Sequence, residues 1–279
     1  MIGSSQGRGR LARTSVLAIA VLAAVLVLTV SGAVASSSAV PAPPANPTSA
    51  DQIQNIDQVK TAIKAYYGDT ITSTPDPVDG KTLLHTYSPT GAYVNEMAGL
   101  EADATKYLDR YVKRGNGTHG IAPAVVFDVD DTTLNTYSYE IYSNFVYNPT
   151  TNGTFVNAEV FPAVPGMPAL AARAASDGAT VFFLTGRPES QRTATADNLA
   201  KAGYAKPDAS HLYLKDLTKP WLSSCAPSCT TTQYKSLTRQ HIESLGYDIV
   251  ANFGDQYSDL NGGFAEQTYK LPNPMYYLP

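Results

Sequence analysis

Three aspartates, Asp128, Asp130 and Asp131, fall within four residues, directly after the apolar run Ala124-Val125-Val126-Phe127. Like charges this close repel, and burying them unpaired is costly, so the cluster calls for a cation. Mg²⁺, a hard ion that takes oxygen ligands, is the simplest candidate. A second pair of acids, Asp255 and Asp259, follows the run Ile249-Val250-Ala251-Asn252-Phe253-Gly254. Their spacing of four puts Asp259 about one helical turn behind Asp255 if strand flows into helix, and Gly254 permits close backbone approach. Two further groups lie between the acid clusters. Thr185-Gly186-Arg187 closes the apolar run Val181-Phe182-Phe183-Leu184, and a hydroxyl with free backbone N–H groups at such a turn can hold a phosphoryl oxygen. Lys235 stands near the start of a helix after Thr230-Thr231-Thr232-Gln233-Tyr234. Taken singly, the threonine turn and the lysine are ordinary surface features; as an ordered series they suit chemistry on an anionic ester beside a cation. A calcium-binding EF-hand loop starting at Asp128 would need Gly at its sixth position and Glu at its twelfth; Thr133 and Tyr139 stand there instead.

Each cluster needs an element to carry it. Val125, Val126 and Phe127 suit a strand covered on both faces of a parallel sheet, and open α/β sheets place ligands beyond their C-terminal strand ends. Short apolar strands are expected at 124–129, 180–184, 211–214 and 248–253, and helices at 166–177, 189–202, 234–245 and 258–266. This alternation implies an α/β fold with a doubly wound parallel sheet, which brings the clusters to one edge. Segment 135–165, rich in Tyr, Asn, Pro and Gly, reads as a loop or small cap inserted after the first strand. Ahead of the sheet, Ile53, Ile56, Val59, Ile63 and Tyr66 recur at helical spacing. A second helix begins near Ser88 or Thr90, with the stripe Tyr93, Met97, Leu100, Ala104, Tyr107, Leu108 and Tyr111, and ends by 115–120. Both helices are expected to pack on one side of the sheet. The domain is expected over 51–279, with N-terminal helices at 51–120 and an α/β core at 121–279.

Residues 1–35 carry Arg8, Arg10 and Arg13 and no acid, then an uncharged apolar stretch ending Ala33-Val34-Ala35. That is the layout of a secretory signal peptide cleaved after Ala35. The alternative is an uncleaved anchor, since the stretch approaches the roughly 20 residues that span a bilayer. Residues 36–50 form a Pro/Ser/Ala tether. Losing the leader would take the formal charge from -4 to -7, which argues against a nucleic acid partner. No stable membrane partner is expected once the leader is cleaved. Cys225 and Cys229, in an export context, are expected to form a small-loop disulfide. A cysteine-nucleophile phosphatase would place Arg six positions after Cys229, where Lys235 stands.

These motifs together resemble the haloacid dehalogenase superfamily of phosphohydrolases, and within it the acid phosphatase branch of plant-type and bacterial class C enzymes. The resemblance runs from about residue 51 to the end. It rests on Asp128 to Thr132, Leu134, Tyr139, Leu184 to Ser190, Lys235, Gly254 to Asp259 and the tail Leu271-Pro272-Asn273-Pro274-Met275-Tyr276. It implies that Asp128 is the nucleophile, forming an aspartyl-phosphate, and that Asp130 is the general acid and then base. It further implies Mg²⁺ on the Asp128 carboxylate, the Asp130 backbone carbonyl and Asp255, supported by Asp259. Thr185, Gly186 and Lys235 would hold the phosphoryl oxygens. Arg187 would touch substrate or pair with an acid beside the site. Of the aromatics Tyr137, Tyr139, Tyr142, Phe145 and Tyr147 that follow the first strand, one or two would stack on an aromatic leaving group or simply pack the inserted loop, with Tyr139 first among them because the family motif has Tyr there. Asp131 stands where this branch often has Glu, a change expected to matter little.

The expected function is a secreted, Mg²⁺-dependent acid phosphatase acting on small phosphomonoesters, nucleotides or aryl phosphates among them. Two alternatives use the same scaffold: a non-enzymatic storage or binding protein, and a phosphotransferase that passes phosphate to an alcohol.

Overall fold

The computed structural model describes residues 49, 55–111 and 121–278. The expected leader and, Ser49 aside, the tether lie outside the described residues, as do Ile53 and the 115–120 stop.

The core is a five-stranded sheet built from β3 (Ala122–Phe127), β4 (Thr180–Pro188), β5 (Leu212–Lys215), β6 (Tyr247–Gly254) and β7 (Thr268–Lys270). Its order is β5-β4-β3-β6-β7 and every pairing is parallel. The chain steps outward from β3 to β4 and β5, then crosses back to add β6 on the other flank of β3. That reversal opens a crevice at the C-terminal ends of β3 and β6, where Asp128 and Asp255 follow directly.

Alternation along β3 divides the interior. Val125 and Phe127 face one core and Ala124 and Val126 the other. The first core packs against α2 (Ala92–Tyr111), α5 (Met167–Ser176) and α6 (Arg192–Lys201), through Tyr93, Met97, Leu170, Ala174 and Leu199. The second packs against α7 (Thr231–Ser244) through Tyr234 and Ile242. Under the site, Phe127 stacks on Phe253 at 4.5 Å and Phe253 on Tyr269 at 4.8 Å. Burying each such ring is worth roughly 1.5–3 kcal/mol, so the strand ends that carry the acids rest on a stiff floor. Among the described residues, no helix is long and apolar enough to cross a membrane.

Several expectations need correction. In α1 (Ile56–Tyr67), Asn55 and Gln58 form a capping box and Gly68 closes the helix at φ 66°. Ile56 and Val59 are exposed, however, and burial falls on Ile63 and Tyr67. The last turn alone reaches the aromatic cluster, where Tyr67 meets Tyr93 and Tyr137 at 4.5 Å. An antiparallel hairpin of β1 (Thr70–Pro75) and β2 (Leu83–Thr86), absent from the sequence reading, follows it. Its first strand is largely exposed and Thr-rich, so no alternation marked it. Segment 135–165 keeps to its expectation as a small insertion after the first strand and carries α3 (Tyr137–Tyr142) and α4 (Pro149–Asn157). The helix expected at 258–266 is a single turn, α8 (Tyr257–Leu260).

Candidate active site

A cleft of about 560 Å³ opens at the C-terminal strand ends and is lined by Asp128, Asp130, Gly186, Arg187, Lys235, Asp255 and Asp259. These residues span 131 positions of chain and come from four elements. Asp128 is positioned by its own backbone, whose N–H donates to the Phe253 carbonyl at 2.9 Å. Lys235 reaches in from the second turn of α7, whose start is fixed by a Thr230–Gln233 capping box. Its ammonium pairs with Asp128, lies 3.1 Å from Asp259 and donates to the Leu184 carbonyl at 2.6 Å. Burial alone would lower the Lys235 pKa; the charges of Asp128 and Asp259 overcome it and raise the pKa.

Asp128, Asp255 and Asp259 each offer a carboxylate oxygen, all within 4.8 Å of one another. All three are buried. Burial, then the charge of Asp259, pushes the Asp128 pKa well above the usual carboxylate range, against the pull of Lys235. Asp255 is pushed up to about 8, first by burial and then by Asp259 and Asp131. Three clustered carboxylates share a single ammonium, so the set fits one further hard cation with oxygen ligands. The surroundings aim Asp255 for that purpose. Its Oδ2 accepts from Gln256 Nε2 and Asn273 Nδ2, both at 2.7 Å. Asn273 is itself oriented by the Met275 N–H, which donates to its Oδ1 at 2.9 Å. The Asp255 Oδ1 is left facing the Thr132 hydroxyl at 3.3 Å.

The raised carboxylates carry a pH signature. Asp131, also buried, is pushed up to about 7. Between about pH 4 and pH 8 the folded protein therefore holds protons that the unfolded chain has released. Stability of the cation-free protein falls as pH rises through that window. Divalent cation competes with those protons. Added at saturating concentration, it should raise Tm by roughly 5 °C or more near pH 8 and by less near pH 5. Thermal unfolding at both values, with and without chelator, measures this.

Asp130 stands apart from the three. Arg187 grips it with both Nη2 to Oδ1 at 2.6 Å and Nε to Oδ2 at 3.1 Å. The guanidinium is anchored behind by Nη1 to the Thr195 hydroxyl at 3.1 Å. Of the two roles expected for Arg187, the structure displays the pairing with an acid.

Two expected residues are not on the cleft wall. Thr185 is fully buried, and its hydroxyl accepts the Arg187 N–H at 3.1 Å; Gly186 is the part of that turn that lines the cleft. Tyr139 is also fully buried. Its ring packs on Phe155, and its hydroxyl accepts the Asn148 N–H at 2.7 Å. It ties the inserted segment together and is no platform for a leaving group. The aromatic side chains that do line the cleft are Phe145, Tyr147, Tyr234, Tyr276 and Tyr277.

Other residues hold the site in place from behind. Asp131 adopts φ 55° and its carboxylate accepts from the Thr136 N–H, the Thr136 hydroxyl and the Tyr276 hydroxyl. The C-terminal tail is thereby tied to the loop that follows Asp128. Arg239, buried one turn beyond Lys235 on α7, donates to the carbonyls of Asp259, Asn261 and Gly263. The i, i+4 spacing of the two cations is the signal that could have revealed it. Gly254 lies so close to Asp259 that an added Cβ would meet the Asp259 Cβ at 2.4 Å. Gly254→Ala should displace that acid and weaken divalent-cation affinity by about tenfold or more, as measured by titration calorimetry.

Residues 76–279 match the family described as HAD superfamily, subfamily IIIB (Acid phosphatase). Acid phosphatase 1 of Solanum lycopersicum is 36% identical over 157 residues, covering 55% of this chain and 58% of that protein. The Stem 28 kDa glycoprotein of Glycine max is 34% identical over 158 residues, covering 55% of this chain and 59% of that protein. The chain thus spans less than two thirds of the length of these relatives. The class C acid phosphatase from Bacillus anthracis superposes with a TM-score of 0.56 at 22% identity, covering 67% of this chain and 80% of that one, a likeness of fold. The match over most of its length makes this chain a member of the haloacid dehalogenase superfamily, subfamily IIIB, the acid phosphatases.

Proposed function

We propose that this chain is a Mg²⁺-dependent phosphomonoesterase that works through a phosphorylated Asp128. What supports this most is one juxtaposition: Asp128 sits between a buried ammonium and two further buried acids, with Asp130 at the open side of the same cleft. Asp128, Asp255 and Asp259 would hold the cation, with the Asp130 backbone carbonyl. When bound, it would neutralise charge on the phosphoryl oxygens and keep the Asp128 carboxylate ionised.

The chain's own groups supply the rest. Asp128 attacks phosphorus, forming an acyl-phosphate O–P bond as the P–O bond to the alcohol breaks. Asp130, releasing an oxygen from Arg187, gives its proton to the departing alkoxide. It then takes a proton from water as that water attacks phosphorus. The Asp128 O–P bond breaks, free phosphate leaves and the carboxylate is restored. Lys235 and the Gly186 turn stabilise the phosphoryl oxygens. Phe145, Tyr147, Tyr276 and Tyr277 give the cleft an apolar flank suited to aromatic alcohols such as nucleosides or aryl groups.

Secretion remains part of the reading. It draws on the leader-like residues 1–35, the tether at 36–50 and the Cys225–Cys229 disulfide. The storage alternative has some support in the names of relatives such as Vegetative storage protein 1 of Arabidopsis thaliana, but the intact Asp128–Lys235 pair favours the enzyme. Hydrolysis of a panel of phosphomonoesters by the full chain tests the reading. Turnover that stops with chelator and returns with Mg²⁺ is expected; no turnover on any ester, or turnover indifferent to chelation, would refute it.

A further inference from the structure

Glu140, in the first turn of α3, lines the cleft yet is 6% exposed. The other buried acids of the site have partners: Asp128 and Asp259 have Lys235, Asp255 has Gln256 and Asn273, and Asp131 has Thr136 and Tyr276. Among the described residues, the Glu140 carboxylate has neither an ion-pair nor a hydrogen-bond partner. Its oxygens are not sealed inside the protein but open onto the cleft, where a bound group can supply the missing partner. Burial and then the charge of Asp130 push its pKa up to about 7.

Its place in the cleft says what that partner is. The neighbouring charge it feels is Asp130, the group assigned to the departing alcohol, rather than the Asp128–Asp255–Asp259 set. It shares its wall with Thr136, Phe145 and Tyr147 of the inserted segment. Glu140 therefore lies on the side where the alcohol portion of a substrate sits, at the foot of an apolar flank.

Resting on the phosphomonoesterase reading, we propose that Glu140 is a specificity-determining residue that accepts a hydrogen bond from the leaving alcohol. The favoured substrates are phosphomonoesters whose alcohol carries a second hydroxyl or an ammonium group. Esters with an apolar tail leave the acid unsatisfied, and those with a carboxylate tail are repelled by it. Site groups that hydrogen-bond a substrate discriminate strongly against analogues lacking the donor, because the protein group is then left unpaired.

Four three-carbon esters test this at one fixed pH near 8 with Mg²⁺: propyl phosphate, 3-hydroxypropyl phosphate, 3-aminopropyl phosphate and 2-carboxyethyl phosphate. In the full chain, kcat/KM for the hydroxyl and ammonium esters should exceed that for propyl phosphate by about tenfold, with the carboxylate ester below it. Glu140→Gln, nearly isosteric, should lower the ammonium-to-propyl ratio about tenfold while keeping most of the hydroxyl-to-propyl ratio. Glu140→Leu should flatten both. Wild-type ratios near one, or wild-type ratios retained in the Gln variant for the ammonium ester, would overturn the proposal. Hydrolysis of all four esters with equal efficiency would sink this inference and leave the phosphomonoesterase reading standing. Hydrolysis of none of the four, and of no aryl or nucleoside phosphate assayed beside them, would remove both.

Discussion

Asp128→Asn is expected to lower kcat for phosphomonoester hydrolysis by about 10³-fold or more while the protein stays folded. The amide is a poor nucleophile and cannot form the acyl-phosphate, so the route through Asp128 closes and residual rate comes from positioning alone. The fold should tolerate the change. Asp128 is one of three clustered buried acids, and the charges of Asp259 and Asp255 oppose its ionisation, so replacing it by an amide relieves that repulsion. Lys235 keeps its contact with Asp259 at 3.1 Å. Steady-state kinetics together with Tm of the cation-free variant check both halves: a large loss of kcat and a Tm equal to or above wild type. Near-normal turnover in Asp128→Asn would remove this residue from the chemistry.

The second large effect is expected at Lys235, where rate and stability should fall together. Its side chain is 3% exposed and serves two carboxylates and a main-chain carbonyl. Lys235→Met keeps much of the volume but leaves Asp128 and Asp259 buried without their counter-charge. Breaking a buried pair from one side costs about 3–5 kcal/mol, which corresponds to a fall in Tm of roughly 10 °C for a domain of this size. Loss of a positive group facing the phosphoryl oxygens should lower kcat/KM by a further ~10²-fold or more. Divalent cation should recover part of the lost Tm, since it meets the same acids, and little of the lost rate. A Lys235→Met protein as stable as wild type without cation would contradict the role assigned to this ammonium.

The parts of the molecule that could be read from sequence are those where one residue's chemistry decides the outcome. β3, β4 and β6 announce themselves because strands covered on both faces must be apolar throughout, and the acids stand out because they follow those strands directly. Lys235 carried no local signal; its place in an ordered series of clusters singled it out, and parallel topology brings it to Asp128. What escaped depends on tertiary context. Tyr139 and Tyr147 share a residue type and a segment and differ in which way that segment turns them, one into the protein and one onto the cleft. The α1 stripe misled because a helix that packs by its last turn leaves Ile56 and Val59 in water. The hairpin and three-residue β7 are too short or too exposed to impose a pattern. Asn273, Tyr276 and Arg239 act on the site from a tail and a helix face, through contacts as long-range as 145 positions.

The central claim is that phosphate passes through the side chain of Asp128. Acid quenching the Mg²⁺-loaded enzyme during turnover, followed by proteolysis and mass spectrometry, locates the phosphoryl group. The account predicts that it sits on the peptide containing Asp128 and disappears in Asp128→Asn. A phosphoryl group found on any other side chain, or turnover with no phosphorylated protein at any quench time, would contradict it.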